Sequence, residues 1–216
     1  MTMQVRPIVL TGQVVRLEPL ALEHAAEIYH AAQDPSIWRY MPTDPSESVE
    51  AVAQWITDAL AERDAGRQMP FATIERASGQ VIGSTRYLNI APQDYGLEIG
   101  WTWLTPRAQR TAINTECKYL LMRHAFEELG AIRVQLKTDS RNTISQRAIE
   151  RLGAVREGVL RKATIIQRDG YQRSSVMYSV TDDEWPGVKA RLEGFMRRGG
   201  GANGPEDAIL QAEEAM

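Results

Sequence analysis

Residues 97–118 read LEIGWTWLTPRAQRTAINTECK, and the reading of this stretch decides the fold. In its first half Leu97, Ile99, Trp101 and Trp103 alternate with Glu98, Gly100 and Thr102. Alternation of period two predicts a strand. In its second half a helix opens. Ile113, Cys117, Leu120, Leu121, Ala125 and Leu129 fall on one stripe, and Gly130 stands where such a helix ends. Beyond it Ile132, Val134 and Leu136 alternate with Arg133, Gln135 and Lys137, a second strand. Strand, long helix and strand predict a parallel crossover. Ligands of such sheets collect beyond the carboxyl ends of the strands.

Working outward, Gln13–Pro19 predicts a first strand, and Leu22, Ala25, Ala26 and Tyr29 a short helix ended by Asp34-Pro35. Asp44-Pro45-Ser46-Glu47 predicts a capped helix start, followed by an apolar face of Val49, Val52, Ala53, Ile56 and Leu60 that stops near Gly66. Phe71–Arg76 and Val81–Leu88 predict a hairpin around Ser78-Gly79. After the crossover, Asn142–Leu152 reads as a helix closed by Gly153. Val159–Gln167 and Tyr171–Val180 follow as strands joined at Asp169-Gly170. The run 181–184 (TDDE) is a capping box for a last helix that begins near Trp185. From Arg197 the composition turns to glycine, then to an acidic, Ala-rich end. Residues 1–196 are therefore expected to form one domain, and 197–216 a linker and a mobile or docking tail.

Composition narrows the function. The chain has 25 Lys and Arg against 28 Asp and Glu among 216 residues, a net charge of −3. That balance argues against a general nucleic-acid binder. The single Cys117 excludes an internal disulfide and a thiolate zinc site, and His24, His30 and His124 lack metal-ligand spacing. No long apolar run suggests a membrane span, so a soluble, cytoplasmic protein is expected.

The candidate chemistry lies at the strand-to-helix junction. A helix N-terminus presents unpaired N–H groups and the positive end of its dipole, which suits phosphate. Arg107 and Arg110 add two cations there, although the residues alone leave open that both are solvated loop arginines. Glu98 stands opposite the apolar positions of its strand. It is a candidate general base or a structural partner for Arg133 or another arginine. Asn142 and Ser145 open the next helix and could simply cap it.

Several segments taken together resemble the GNAT superfamily of acetyl-CoA-dependent N-acetyltransferases, most closely its RimJ/RimL-like branch. They are the Glu98-Ile99-Gly100-Trp101 strand, the loop and helix from Arg107, Arg133-Val134, Asn142 to Ser145, Gly153-Ala154 and Glu157-Gly158. The resemblance spans about residues 12–195. It implies a GNAT fold of class α/β (α+β). The sheet would be mixed, mostly antiparallel, with six to seven strands, a central parallel β-α-β crossover and flanking helices. It implies acetyl-CoA as co-substrate, held by Leu104, Arg107, Arg110, Thr111, Ala112 and Asn114, with Asn142 on the pantetheine arm. No metal is implied. Glu98 would be the base, commonly through a water, and Ser145 would lie near the departing thiolate, since the helix after Asn142 has no tyrosine. Trp38 and Tyr40 would line the side where the amine enters, with packing as the competing account. The family's phosphate loop usually carries glycine where this chain has Arg110. A free α-amine, with pKa about 7.7–8.0 against about 10.4 for lysine, suits a single carboxylate base. The amine is thus expected to be a protein N-terminus or a small molecule such as a polyamine, amino acid or antibiotic. A non-catalytic CoA-binding or interaction domain is the rival reading. Neither nucleic acid nor membrane is an expected partner, and a second copy of the chain is left open.

Overall fold

The computed structural model describes residues 2–199. The expected tail beyond Gly199 therefore lies outside the described residues. Eight strands form one sheet. They are β1 (Leu10–Thr11), β2 (Val15–Pro19), β3 (Met69–Glu75), β4 (Val81–Ala91), β5 (Gly96–Leu104), β6 (Arg133–Asp139), β7 (Val155–Ile166) and β8 (Tyr171–Thr181). Their spatial order is β1-β2-β3-β4-β5-β6-β8-β7. Every neighbouring pair is antiparallel except β5 and β6, which are parallel. The expected crossover is present, carried by α3 (Ala112–Arg123). The other helices are α1 (Ala25–Ala31), α2 (Val49–Asp64), α4 (Thr143–Leu152) and α5 (Trp185–Gly199).

The sheet has eight strands rather than six or seven because the two-residue β1 folds back on β2. Glu116 of α3 holds that turn. Its Oε1 accepts from the Gln13 amide at 2.7 Å, and its Oε2 from those of Val14 and Val15 at 2.8 and 2.9 Å. Gly12 is required beside it, since a Cβ there would overlap the carboxylate. The start of α2 also differs from expectation. Ser48, not Asp44, is its cap, with Oγ accepting from the Ala51 amide at 3.1 Å. Asp44 instead closes a local turn onto Ser46. Both residue types compete for backbone N–H groups, and sequence does not say which one a helix uses.

Two apolar cores flank the sheet. One holds Leu97, Ile99, Cys117, Leu120, Leu121, Val134, Leu136, Ile149 and Leu192, under α3, α4 and α5. The other holds Ile28, Trp38, Val52, Ile56, Ala72, Ile74 and Trp103, under α1 and α2. The alternation of residues 97–103 therefore does not put its four apolar residues on one face. A bulge intervenes. Gly100 pairs with Arg86 and Trp103 with Ser84, so Trp101 and Thr102 together oppose Thr85, and Trp101 takes φ +51°. The extra residue moves Trp103 to the opposite face from Leu97 and Ile99. Among the described residues no helix is long and apolar enough to cross a membrane.

Candidate active site

The parallel strands β5 and β6 pair only at Gly96–Glu98 with Arg133–Gln135, although β5 runs on to Leu104 and β6 to Asp139. Beyond Glu98 the two strands part. The parting opens toward their carboxyl ends, where α3 and α4 begin, as expected for a ligand crevice in a sheet with a parallel crossover.

Glu98 sits where the strands separate and is 1% exposed. Asn89 Nδ2 at 2.8 Å, Gln135 Nε2 at 3.0 Å and Lys137 Nζ at 3.1 Å all donate to its Oε2. The other oxygen, Oε1, faces Gly100, where a Cβ would lie 3.1 Å away. One oxygen is thus fixed by three donors, while the second points along β5 toward the bulge. Arg133, one alternative partner for Glu98, instead forms a bidentate pair with Glu157. The signal for Gln135 and Lys137 lay in the sequence, since both occupy the polar parity of β6 that faces Glu98. Asn89 left none, because it reaches Glu98 from a residue at φ +48° near the end of β4.

At the start of α3, Thr111 is the cap. Its Oγ1 accepts from the Ile113 amide at 3.2 Å and donates to the Ala108 carbonyl at 2.7 Å. Arg110, where the family has glycine, adopts φ +58°. An arginine in this left-handed backbone, which glycine takes freely, costs about 1–2 kcal/mol. Ala112 and Asn114 are half-buried on the first turn, and buried Leu104 ends β5. Arg107 is drawn away to the β3–β4 turn. It pairs with Glu75 at 2.8 Å and donates to Gln80 at 3.1 Å. That pairing, with Ser78, holds the Glu75 carboxyl below its usual range.

At the start of α4, Asn142 is the cap and accepts from the Ser145 amide at 3.0 Å. Arg141, just before it, pairs with the buried Asp139 at 2.9 Å and stacks on Tyr171, with its Cζ 3.4 Å from the ring centroid. It also approaches the Tyr40 ring, which brings Tyr40 to this end of the sheet. Trp38 is not there. Its indole is 1% exposed, packs at a tilt against Trp103 and donates to the Ala32 carbonyl at 2.8 Å. The expectation that it lines the amine's entrance is corrected: the ring is a core element and presents no face to an incoming amine.

Cys117 is buried, and burial pushes its thiol up to about 12, which makes it inert as a nucleophile. Buried Lys118 donates to Thr102 at the bulge at 2.7 Å, and desolvation lowers it to about 8. Sequence reading passed over it because a lysine on a helix is ordinarily solvated. Among the described residues no group of three or more His, Cys, Asp or Glu could hold a metal ion.

Residues 15–155 match the profile of the acetyltransferase (GNAT) domain. The chain belongs to the GNAT acetyltransferase family. A structure from T. thermophilus, provisionally described as an acetyltransferase, shares 42% identity over 90% of this chain and 100% of its own, with a TM-score of 0.81. A GCN5-related N-acetyltransferase from Brucella melitensis shares 27% over 95% and 89%, with a TM-score of 0.84. RimJ of Mycobacterium smegmatis, solved with CoA-disulfide, has the same fold at 21% identity over 88% and 92%, with a TM-score of 0.74. No match was found among curated proteins. Glu98 and the starts of α3 and α4 stand at the parting of β5 and β6.

Proposed function

We propose that this acetyltransferase moves an acetyl group from acetyl-CoA to a primary amine by direct attack in a ternary complex. The observation that carries this reading is the buried Glu98 carboxylate at the parting of β5 and β6, with one oxygen pinned by three donors and the other lying over Gly100. The amine nitrogen attacks the thioester carbonyl. The C–N bond forms and the C–S bond breaks. A proton leaves the amine for Glu98, directly or through water, and the thiolate departs near Ser145, whose hydroxyl can donate a hydrogen bond or proton to it. No acyl-carrying nucleophile is required.

In this reading the pyrophosphate lies at the start of α3, among Arg110, Thr111, Ala112 and Asn114, with Leu104 flanking it; Arg107 would join only by leaving Glu75 and Gln80. Asn142 holds the pantetheine arm and Tyr40 stands beside the amine. The left-handed backbone at Arg110, the conformation that glycine takes freely, supports a working phosphate loop over the rival of a non-catalytic domain. RimJ/RimL-like kinship is a finer reading, supported by the distant RimJ neighbour. Residues 1–196 as one catalytic domain and a cytoplasmic location belong to the same proposal. The test offers acetyl-CoA with free N-terminal peptides and small amines, and measures CoA thiol release. Acetyl-CoA and desulfo-CoA should both raise the melting temperature, as ligands of the native state do. No shift from either at millimolar concentration would remove the CoA site.

A further inference from the structure

The sheet face that carries Glu98 also carries a buried guanidinium with too few oxygens around it. Arg86 pairs across β4 and β5 with Gly100, two residues from Glu98 and on the same face. It is 4% exposed. Its Cζ lies 4.6 Å from the ring centroids of both Trp55 and Trp101. Nη1 donates to Gln68 Oε1 at 2.9 Å. Nε and Nη2 are buried and have no hydrogen-bond partner among the described residues, and the same holds for Trp55 Nε1 and Trp103 Nε1. Burial lowers Arg86 to about 10, so it remains a cation at neutral pH. The two carboxylates whose charge reaches it are engaged elsewhere. Glu62 takes the fork of Arg67, and Asp58 accepts from Gln54.

Each of these unmatched groups is a donor. A buried donor without an acceptor is costly, and native structures nearly always supply one. Nε–H and Nη2–H form one edge of the guanidinium, the edge that meets both oxygens of a carboxylate. Trp101, half-buried at the β5 bulge, is the outermost member of this stack. The rest of the face adds charge of the same sign. Lys137, Arg141 and Arg173 surround Glu98 and Asp139, and Arg173 Nε, 3.9 Å from Asp139, also lacks a hydrogen bond.

We propose that the acetyl acceptor is an amino acid or amino-acid-like compound, whose carboxylate is gripped by the Nε–H and Nη2–H edge of Arg86 while Glu98 takes the amine proton. The proposal rests on the acetyltransferase reading above and names its substrate class. An α-amino acid carries both groups this face would engage, an amine for Glu98 and a carboxylate for Arg86, along the stretch of β5 from Glu98 to Gly100 that the Leu88 side chain also overlies. In the reaction the carboxylate is unchanged. The nitrogen forms the C–N bond, the thioester C–S bond breaks, one proton passes to Glu98, and the thiolate takes another.

The test uses matched triples: alanine, methionine, phenylalanine and glutamate, each with its amide and its decarboxylated amine. Thiol release from acetyl-CoA is measured, along with binding by tryptophan fluorescence without acetyl-CoA. At least one free acid should be preferred tenfold or more in kcat/KM over both partners, although the amide's less basic amine favours it chemically. Arg86→Lys should raise KM for that acid about tenfold with kcat nearly unchanged, and should erase the preference. Equal use of all three members in every triple, with acetyl-CoA binding intact, overturns the proposal and leaves the acetyltransferase reading standing. Fluorescence changes specific to the acids without any thiol release overturn that reading and keep the carboxylate site. Neither signal overturns both. The wild-type comparison decides the matter even if the Arg86 variant folds poorly.

Discussion

Glu98 and Glu116 are both buried carboxylates, at 1% and 4% exposure, on consecutive elements of one crossover. Each accepts three N–H hydrogen bonds. Glu116 receives them from the main chain of Gln13, Val14 and Val15, and both of its oxygens are used. Glu98 receives them from the side chains of Asn89, Gln135 and Lys137, all on one oxygen. In the proposed mechanism the difference separates a clamp from a base. Glu116 replaces strand pairing for a turn that would otherwise bury bare amides. Glu98 is held through one oxygen, and in the proposed mechanism the other takes the amine proton.

The same substitution should therefore act differently at the two sites. Glu116→Gln sets an NH2 donor against an amide donor whichever way it turns. It should cost roughly 2–4 kcal/mol, read by denaturant unfolding. A loss under about 0.5 kcal/mol would mean the clamp is not what holds β1 and β2.

Next in size, Arg110→Ala should weaken acetyl-CoA binding about tenfold and flatten its salt dependence, measured by calorimetry at two ionic strengths. An unchanged affinity would make Arg110 a loop residue and leave Glu98 working beside a differently anchored co-substrate. Lys118, also buried on α3, has no carboxylate partner among the described residues to stabilise its charge. Its folded value near 8 lies below its ordinary 10.5. Above pH 8 the native lysine loses its proton while the unfolded chain keeps it, so stability should rise with pH. Between pH 8 and 9 the gain from the lysine is on the order of 1 kcal/mol, partly offset as the Cys117 thiol, ordinarily near 9, ionises only in the unfolded chain. Lys118→Met should remove that rise. Smallest, Ser145→Ala should slow turnover less than about tenfold if water can stand in for its hydroxyl at the sulfur.

Most of the fold was legible because period gave element type: two along residues 97–103 and 132–137, 3.6 along residues 113–129. The bulge was not. A Trp at φ +51° leaves no mark in a pattern of Trp, Thr and Trp, and it reversed the face of Trp103. Glu98 was legible as the polar residue of an apolar strand. Its holders were legible only in part, because Gln135 and Lys137 follow strand parity while Asn89 depends on a backbone turn. Arg86 was hidden, since a charged residue within a strand carries no sign that two indoles will enclose it. Trp38 looked like a loop aromatic near the amine and proved to be a core residue, because the short helical turn Pro35–Trp38 folds it inward.

The most direct test is Glu98→Gln measured beside Glu116→Gln for melting temperature, acetyl-CoA affinity and turnover across pH. At Glu98 the amide oxygen of glutamine can still meet the three donors. That variant should therefore melt and bind acetyl-CoA much as wild type does. It should turn over about 10²–10⁴-fold more slowly, and the deficit should shrink as pH approaches the pKa of the acetyl acceptor's amine. Wild-type turnover across that range, or a stability loss matching that of Glu116→Gln, would contradict the assignment of Glu98 as the base.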